Sequence, residues 1–200
     1  GQTANTEFEL LTGNTLGFLS AGTTAFQLYI HGQMPSLVSN LKAEGYSGNK
    51  AMHPFNPYNY NRPAVYKDFG FTDFIDKFDF PKNVKRVREY ISDEANVDRI
   101  ISEYEKNRKK TDQPFYMYNM TIQNHSPYDK DAANFKQPIK IESSKYDAEA
   151  NRYLNLIKYS DDSLKQLTSY FEKCKEPTII LFLGDHQPRL TDEFMNKITN

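Results

Sequence analysis

The sequence predicts a three-layer α/β/α sandwich on a mainly parallel sheet, and the chain is expected to be part of such a domain. Three observations predict it. Segments of strand character alternate with segments of helical periodicity, the pattern that lays strands side by side in parallel. The stretch TIILFLG, residues 178–184, is an almost unbroken apolar run of β-formers. Such a run is expected where helices cover both faces of a strand. Three of the four histidines, His53, His125 and His186, follow directly on strand-like segments. In open α/β sheets, ligands sit at the carboxyl ends of the strands.

The elements follow in order. Thr6 to Leu11 is expected to form a short helix, stopped by Gly13. PSLVSNLKAEGY, residues 35–46, is a second helix: Pro35 suits a first turn, Leu37, Val38 and Leu41 make an apolar face, and Gly45 closes it. YSGNKAMH fits a short strand ending at His53, and PFNPYNYNRPAVY, crowded with Pro and Asn, is expected to be loop. SDEANVDRIISEYEKNRKK, residues 92–110, reads as a helix capped by Ser92, with acids in its first turn and bases in its last. QPFYMYNMTIQ is the next strand and QNHSPYD the turn after it. Residues 144–177 form the longest expected helix, with Leu154, Ile157, Leu164, Leu167 and Phe171 at helical spacing and Pro177 as its end. TIILFLG closes the series.

Composition narrows the function classes. Two hundred residues suffice for one domain with a substantial core. The 25 basic and 26 acidic residues nearly cancel, which argues against a nucleic-acid surface. Cys174 is the one cysteine, so no intrachain disulfide is possible. No stretch approaches the roughly 20 apolar residues of a membrane span, and no signal-peptide pattern is present at the start. Both ends read as cuts through a larger domain.

Three polar clusters carry candidate chemistry. In GDHQP, Asp185 offers a hard carboxylate oxygen and His186 an imidazole nitrogen, a pair suited to Zn²⁺ or Mn²⁺. On its own the same dipeptide reads rather as a strand-end turn with Asp as a helix cap, and ligands from elsewhere are needed. In TIQNHSPY, His125 can neutralise a phosphate or protonate a leaving oxygen, or it is a surface-loop histidine. In MHPFNPYNYNRP, His53, Tyr60 and Arg62 can converge from one loop, with Arg62 as an anion clamp. Alternatively Arg62 pairs with Asp68 on the surface. In the opening GQTANTEFELLTG, a threonine at a helix start sits where backbone N–H groups favour anions, and a divalent cation there can activate its hydroxyl. Thr3, Thr6 and Thr12 are all candidates.

Taken together, GQTANTEFELLTG, MHPFNPYNYNRPAVYKDFGFTDFID, TIQNHSPY and LFLGDHQP resemble the lipoteichoic acid synthase family of phosphoglycerol transferases, within the alkaline phosphatase and sulfatase superfamily. The four motifs occur in the family's order and span nearly the whole chain. The resemblance implies an alkaline-phosphatase-like fold, with residues 1–200 as the central part of the catalytic domain, its first strand and last strands absent. It implies Thr3 as nucleophile and metal ligand, Asp185 and His186 as paired metal ligands, and His125 near the transferred phosphate. His53, Tyr60, Arg62 and His125 would bind substrate.

The implied cofactor is one divalent cation, Mn²⁺ ahead of Mg²⁺ or Zn²⁺. The implied partners are an anionic phospholipid head group and a glycan or polyglycerol phosphate acceptor. The parent protein would be membrane-anchored and act on the extracytoplasmic face of a bacterial cell membrane. Two positions depart from the family's pattern. Phe55 stands where an aspartate is usual, and Tyr60 where a tryptophan is usual. A fourth metal ligand, a glutamate, would precede Gly1. The alternatives are a sulfatase or phosphodiesterase of the same superfamily, or a non-catalytic glycolipid- or polymer-binding relative. Cys174, on a helix tail in EKCKEP, does not fit a formylglycine sulfatase motif.

Overall fold

The computed structural model describes residues 2–142 and 146–199. The elements run α1 (Thr3–Thr12), α2 (Ala25–Leu28), α3 (Leu37–Ala43), β1 (Ser47–Met52), α4 (Arg62–Phe69) and β2 (Asp73–Ile75). They continue β3 (Arg86–Val87), β4 (Tyr90–Ile91), α5 (Asp93–Arg108), β5 (Phe115–Asn119), α6 (Ala148–Phe171) and α7 (Asp192–Thr199). The chain divides into two compact units, residues 1–81 with 100–120 and 182–187, and residues 82–99 with 121–181 and 188–200.

The first unit is built on a parallel sheet in the order β2-β1-β5. Ala51 is the central register point, paired with Phe74 on one side and Tyr118 on the other. Because side chains alternate across a strand, Ala51, Phe74, Tyr116 and Tyr118 face one way. There they meet Phe8 and Leu11 of α1, Phe26 of α2, Val38 of α3 and Val65, Tyr66 and Phe69 of α4 in one apolar cluster. On the other face Lys50 Nζ reaches Glu103 of α5 at 3.0 Å and Asp73 at 3.2 Å. Tyr104 packs edge-on against Phe115 there, and Asn107 donates to Ser47 Oγ. Helices on both faces of a parallel sheet are the three layers that the sequence predicts.

The second unit holds the antiparallel pair β3–β4, the start of α5, and α6. Val87, Tyr128, Phe135 and Leu156 form its apolar cluster. Ser92 caps α5 as expected, its Oγ accepting from Ala95 N at 3.2 Å.

Several boundaries differ from expectation. Helix α1 begins at Thr3, three residues early, and ends as expected at Gly13, whose φ of +70° is left-handed. Pro35 lies just outside α3, because Ser36 forms a reciprocal cap with Ser39. The expected loop over 54–66 is only partly loop. Arg62 opens α4, with Pro63 in its first turn, where a missing N–H costs nothing. The expected face of α6 is half right: Leu164, Leu167 and Phe171 are half-buried, but Leu154 and Ile157 are 42% and 40% exposed while Asn155 and Leu156 are buried. Residues 144 and 145 of that expected helix lie outside the described residues. The largest correction concerns 178–184, which forms no strand. Ile179 is 97% exposed and Leu181 69%. An apolar run becomes a buried strand only with a hydrogen-bonded neighbour and cover on both faces, and the described residues form no ladder with it.

Candidate functional site

Thr3 is the first residue of α1, so its side chain projects from the helix end. Its Oγ1 donates to Asp185 Oδ2 at 2.7 Å and lies 3.3 Å from His186 Nε2. Asp185 Oδ2 and His186 Nε2 are 3.2 Å apart. The same helix fixes the turn that brings them: Thr6 Oγ1 donates to the Asp185 carbonyl at 2.6 Å. Asp185 Oδ1 accepts from the His186 N–H at 3.0 Å. These contacts lie within the first unit.

The orientation of the His186 ring follows from its partners. His186 Nδ1 lies 2.8 Å from the Gln187 carbonyl, which can only accept. Nδ1 therefore carries a proton, and Nε2 is the ring nitrogen turned to Thr3 and Asp185. A hydroxyl oxygen, a carboxylate oxygen and an imidazole nitrogen then face one another. Donors that share a cation at about 2.0–2.2 Å lie about 3.0–3.5 Å apart, and two of the three spacings fall in that range. The residues fit a divalent cation. Among the described residues no third His, Cys, Asp or Glu joins Asp185 and His186.

The loop after β1 supplies the other candidates of this unit. His53 is buried, its Nδ1 3.2 Å from the Met120 carbonyl and its ring 6.0 Å from that of Phe55. Tyr60 and Asn61 both adopt left-handed conformations, with φ of +58° and +55°. This strained turn lays the Tyr60 ring 5.2 Å from the Arg62 guanidinium. Arg62 Nη2 also touches Met120 Sδ at 3.6 Å, so His53 and Arg62 both contact Met120, just past β5.

Sequence reasoning missed Glu7. Arg62 does not pair with Asp68, which instead accepts from the Gly32 N–H. Its Nη2 donates to Glu7 Oε1 at 2.6 Å, and Tyr66 Oη donates to Glu7 Oε2 at 2.5 Å. All three side chains are buried. Burial, and then Glu7, push the Tyr66 hydroxyl far above its ordinary range, so it stays a donor. Burial alone would lower Arg62, but Glu7 and Tyr66 outweigh it and hold the guanidinium charged. The available signal was the spacing Thr3–Glu7 and Arg62–Tyr66, each one helical turn.

His125 lies in the second unit, exposed at the tip of its turn. The backbone there is clamped by Arg88, another residue missed in the sequence. Its guanidinium donates to the carbonyls of Pro127, Gln123 and His125 at 2.6, 2.7 and 2.8 Å. Tyr90 Oη donates to the Ser126 carbonyl, and its ring lies 6.0 Å from the imidazole. Beneath the turn, Asp93 accepts from Ser160 Oγ at 2.5 Å and from Gln123 Nε2, while Asn124 donates to Ser160.

Comparison with known proteins adds to this geometry. The family model described as Sulfatase matches residues 1–198. A putative cyclic beta-1,2-glucan modification protein from Rhizobium meliloti is 37% identical over 95% of this chain and 29% of its own length. The lipoteichoic acid synthase of Staphylococcus aureus is 28% identical over 93% of this chain and 28% of its own. The chain thus spans less than a third of either relative. Among solved structures, the lipoteichoic acid synthase LtaP from Listeria monocytogenes matches 85% of this chain and 40% of its own, with a TM-score of 0.71 and 25% identity. The Streptococcus pyogenes phosphoglycerol transferase GacH, solved with sn-glycerol-1-phosphate, matches 98% of this chain and 52% of its own, with a TM-score of 0.75 and 24% identity.

Proposed function

Since the chain belongs to the sulfatase family, with an alkaline-phosphatase-like fold, we propose that it is part of a phosphoglycerol transferase with Thr3 as nucleophile. The observation that carries this reading is the convergence of Thr3 Oγ1 on Asp185 Oδ2 and His186 Nε2 within 2.7–3.3 Å. Thr3, Asp185 and His186 would hold one divalent cation, with Mn²⁺ favoured. When bound, that ion would supply Lewis acidity and lower the pKa of the Thr3 hydroxyl.

The chain's own residues account for the remaining steps. The Thr3 proton already points to Asp185 Oδ2, which takes it as Oγ1 attacks the phosphorus of a phosphatidylglycerol-type lipid. An O–P bond forms, the bond to diacylglycerol breaks, and the leaving oxygen takes a proton from solvent. Glycerol phosphate stays on Thr3 until an acceptor oxygen attacks the phosphorus; the Thr3 O–P bond then breaks, Oγ1 takes its proton back from Asp185, and the acceptor's proton passes to solvent. His53, Tyr60 and Arg62 hold the head group, with Arg62 as the charge. A glycan acceptor is supported by the glucan-modifying relative, and a polyglycerol phosphate acceptor by the lipoteichoic acid synthases. The reaction belongs to the extracytoplasmic face of a bacterial membrane, with the parent protein anchored there. Among the described residues no helix is long and apolar enough to cross a membrane.

The test is diacylglycerol release from a fluorescent phosphatidylglycerol by the full-length protein with Mn²⁺. Thr3→Ala is expected to abolish release and the mass increase of glycerol phosphate on the protein, and chelation should do the same reversibly. Turnover persisting in Thr3→Ala would overturn the assignment. One observation favours a second reading, a binding module without turnover: the Phe55 side chain, beside His53, has no atom to accept a bond from a glycerol hydroxyl. Head-group binding without release in the wild type would support that reading.

A further inference from the structure

We propose that Glu7 is a positioning residue that fixes the separation of the Thr3 hydroxyl and the Arg62 guanidinium, an inference that rests on their reading as nucleophile and phosphate clamp. Thr3 and Glu7 are four residues apart on α1, and Arg62 and Tyr66 four apart on α4. Residues at that spacing stack on one helix face. The two pairs meet at the Glu7 carboxylate. Arg62 holds Oε1 at 2.6 Å and Tyr66 holds Oε2 at 2.5 Å, so successive turns of α4 grip both oxygens. Sliding or tilting α1 against α4 would break one bond or the other.

Stability alone does not explain such a group. Glu7, Arg62 and Tyr66 are each 1% exposed. Apolar side chains of similar volume in place of a buried ion pair are often as stable or more so. Geometry explains it better. Glu7 occupies Nη2, and the Asn59 carbonyl lies 3.4 Å from Nη1. Nε is left without an acceptor. The guanidinium is thus anchored on its Glu7 side and keeps one buried donor uncommitted, as a site for an anionic oxygen requires.

The test separates geometry from charge. In Glu7→Gln, Oε1 can accept from Arg62 while the amide donates to Tyr66 Oη, a hydroxyl that accepts as readily as it donates. Glu7→Asp keeps the charge but shortens the side chain by one bond, about 1.5 Å. In the full-length protein with Mn²⁺ and fluorescent phosphatidylglycerol, kcat per folded molecule is expected to fall roughly 10- to 100-fold in Glu7→Asp and no more than about threefold in Glu7→Gln, with KM raised by up to about tenfold in Glu7→Asp and little changed in Glu7→Gln. Thermal unfolding sets the folded fraction. If Glu7→Asp does not fold, Tyr66→Phe, which frees only Oε2, should lower kcat in the same sense.

Binding of sn-glycerol-1-phosphate is the arm that needs no turnover: Glu7→Asp should bind about tenfold more weakly and Glu7→Gln at least as tightly as wild type. Equal losses in the Asp and Gln variants would assign the effect to charge and overturn the proposal. So would a Glu7→Asp variant that matches wild type in both assays. A wild type without turnover would overturn the transferase reading alone, and the binding arm would still decide the role of Glu7.

Discussion

Asp93 opens α5 and is only 3% exposed, with Oδ1 lacking a hydrogen-bond partner. Burial raises its pKa from 3.8 to about 6, against the pull of Ser160 and Gln123. A carboxyl raised on folding stabilises the native state fully below its unfolded pKa, and that contribution is lost as pH rises through the folded one. The window is therefore about pH 4 to 6, and at 1.36 kcal/mol per pH unit the effect is roughly 3 kcal/mol. Asp93→Asn should remove this slope and gain stability relative to wild type at pH 7, as read by denaturant unfolding at both ends of the window. Parallel pH profiles would refute the prediction. Acids in a helix's first turn usually face water, so nothing in the residue pattern marks this one as buried. The meeting of Thr3 with Asp185 and His186 was legible through the resemblance of their motifs to a known family, since residue chemistry alone left Thr3, Thr6 and Thr12 open. Glu7 and Arg88 were not, because each acts through a partner more than 30 residues away.

At the scale of elements, β1 depends on Gly48. The register with β5 shifts between Gly48 and Lys50, and Gly48 has a φ of +83°. A Cβ there would lie 2.6 Å from the Phe115 ring and 2.9 Å from the Tyr116 carbonyl. Gly48→Ala is expected to cost at least about 2 kcal/mol, from backbone strain and overpacking together. Denaturant unfolding at neutral pH measures it, and a loss under about 0.5 kcal/mol, the scale of an ordinary surface substitution, would show that the bulge relaxes. Long periodic segments such as α5 were readable in advance. Strand β2, three residues long, was not, because its pairing with β1 is a tertiary fact rather than a pattern. Helix α4 was hidden for a similar reason: Pro63 and three nearby asparagines signal a turn, and they do make one, but a helix starts inside it.

At the scale of the molecule, each unit buries its own apolar cluster, while the run 178–184 leaves Ile179, Leu181 and Phe182 97%, 69% and 63% exposed. Contiguous exposed β-formers template association. Replacing Ile179 and Leu181 by lysine should lower self-association of the 200-residue chain, as measured by sedimentation velocity, with its thermal unfolding unchanged. Equal sedimentation of variant and parent would remove this segment as the cause. The fold class was legible because alternating strands and helices imply a parallel sheet, whereas the state of this one strand depends on neighbours that the pattern cannot specify. The contact between Thr3 and Asp185 spans 182 positions. During synthesis Thr3 leaves the ribosome well before Asp185 and His186 and stays without them until they follow. The contact of Thr3 with Asp185 and His186 is thus a late event relative to the synthesis of α1, and a truncated product that stops short of Asp185 cannot make it.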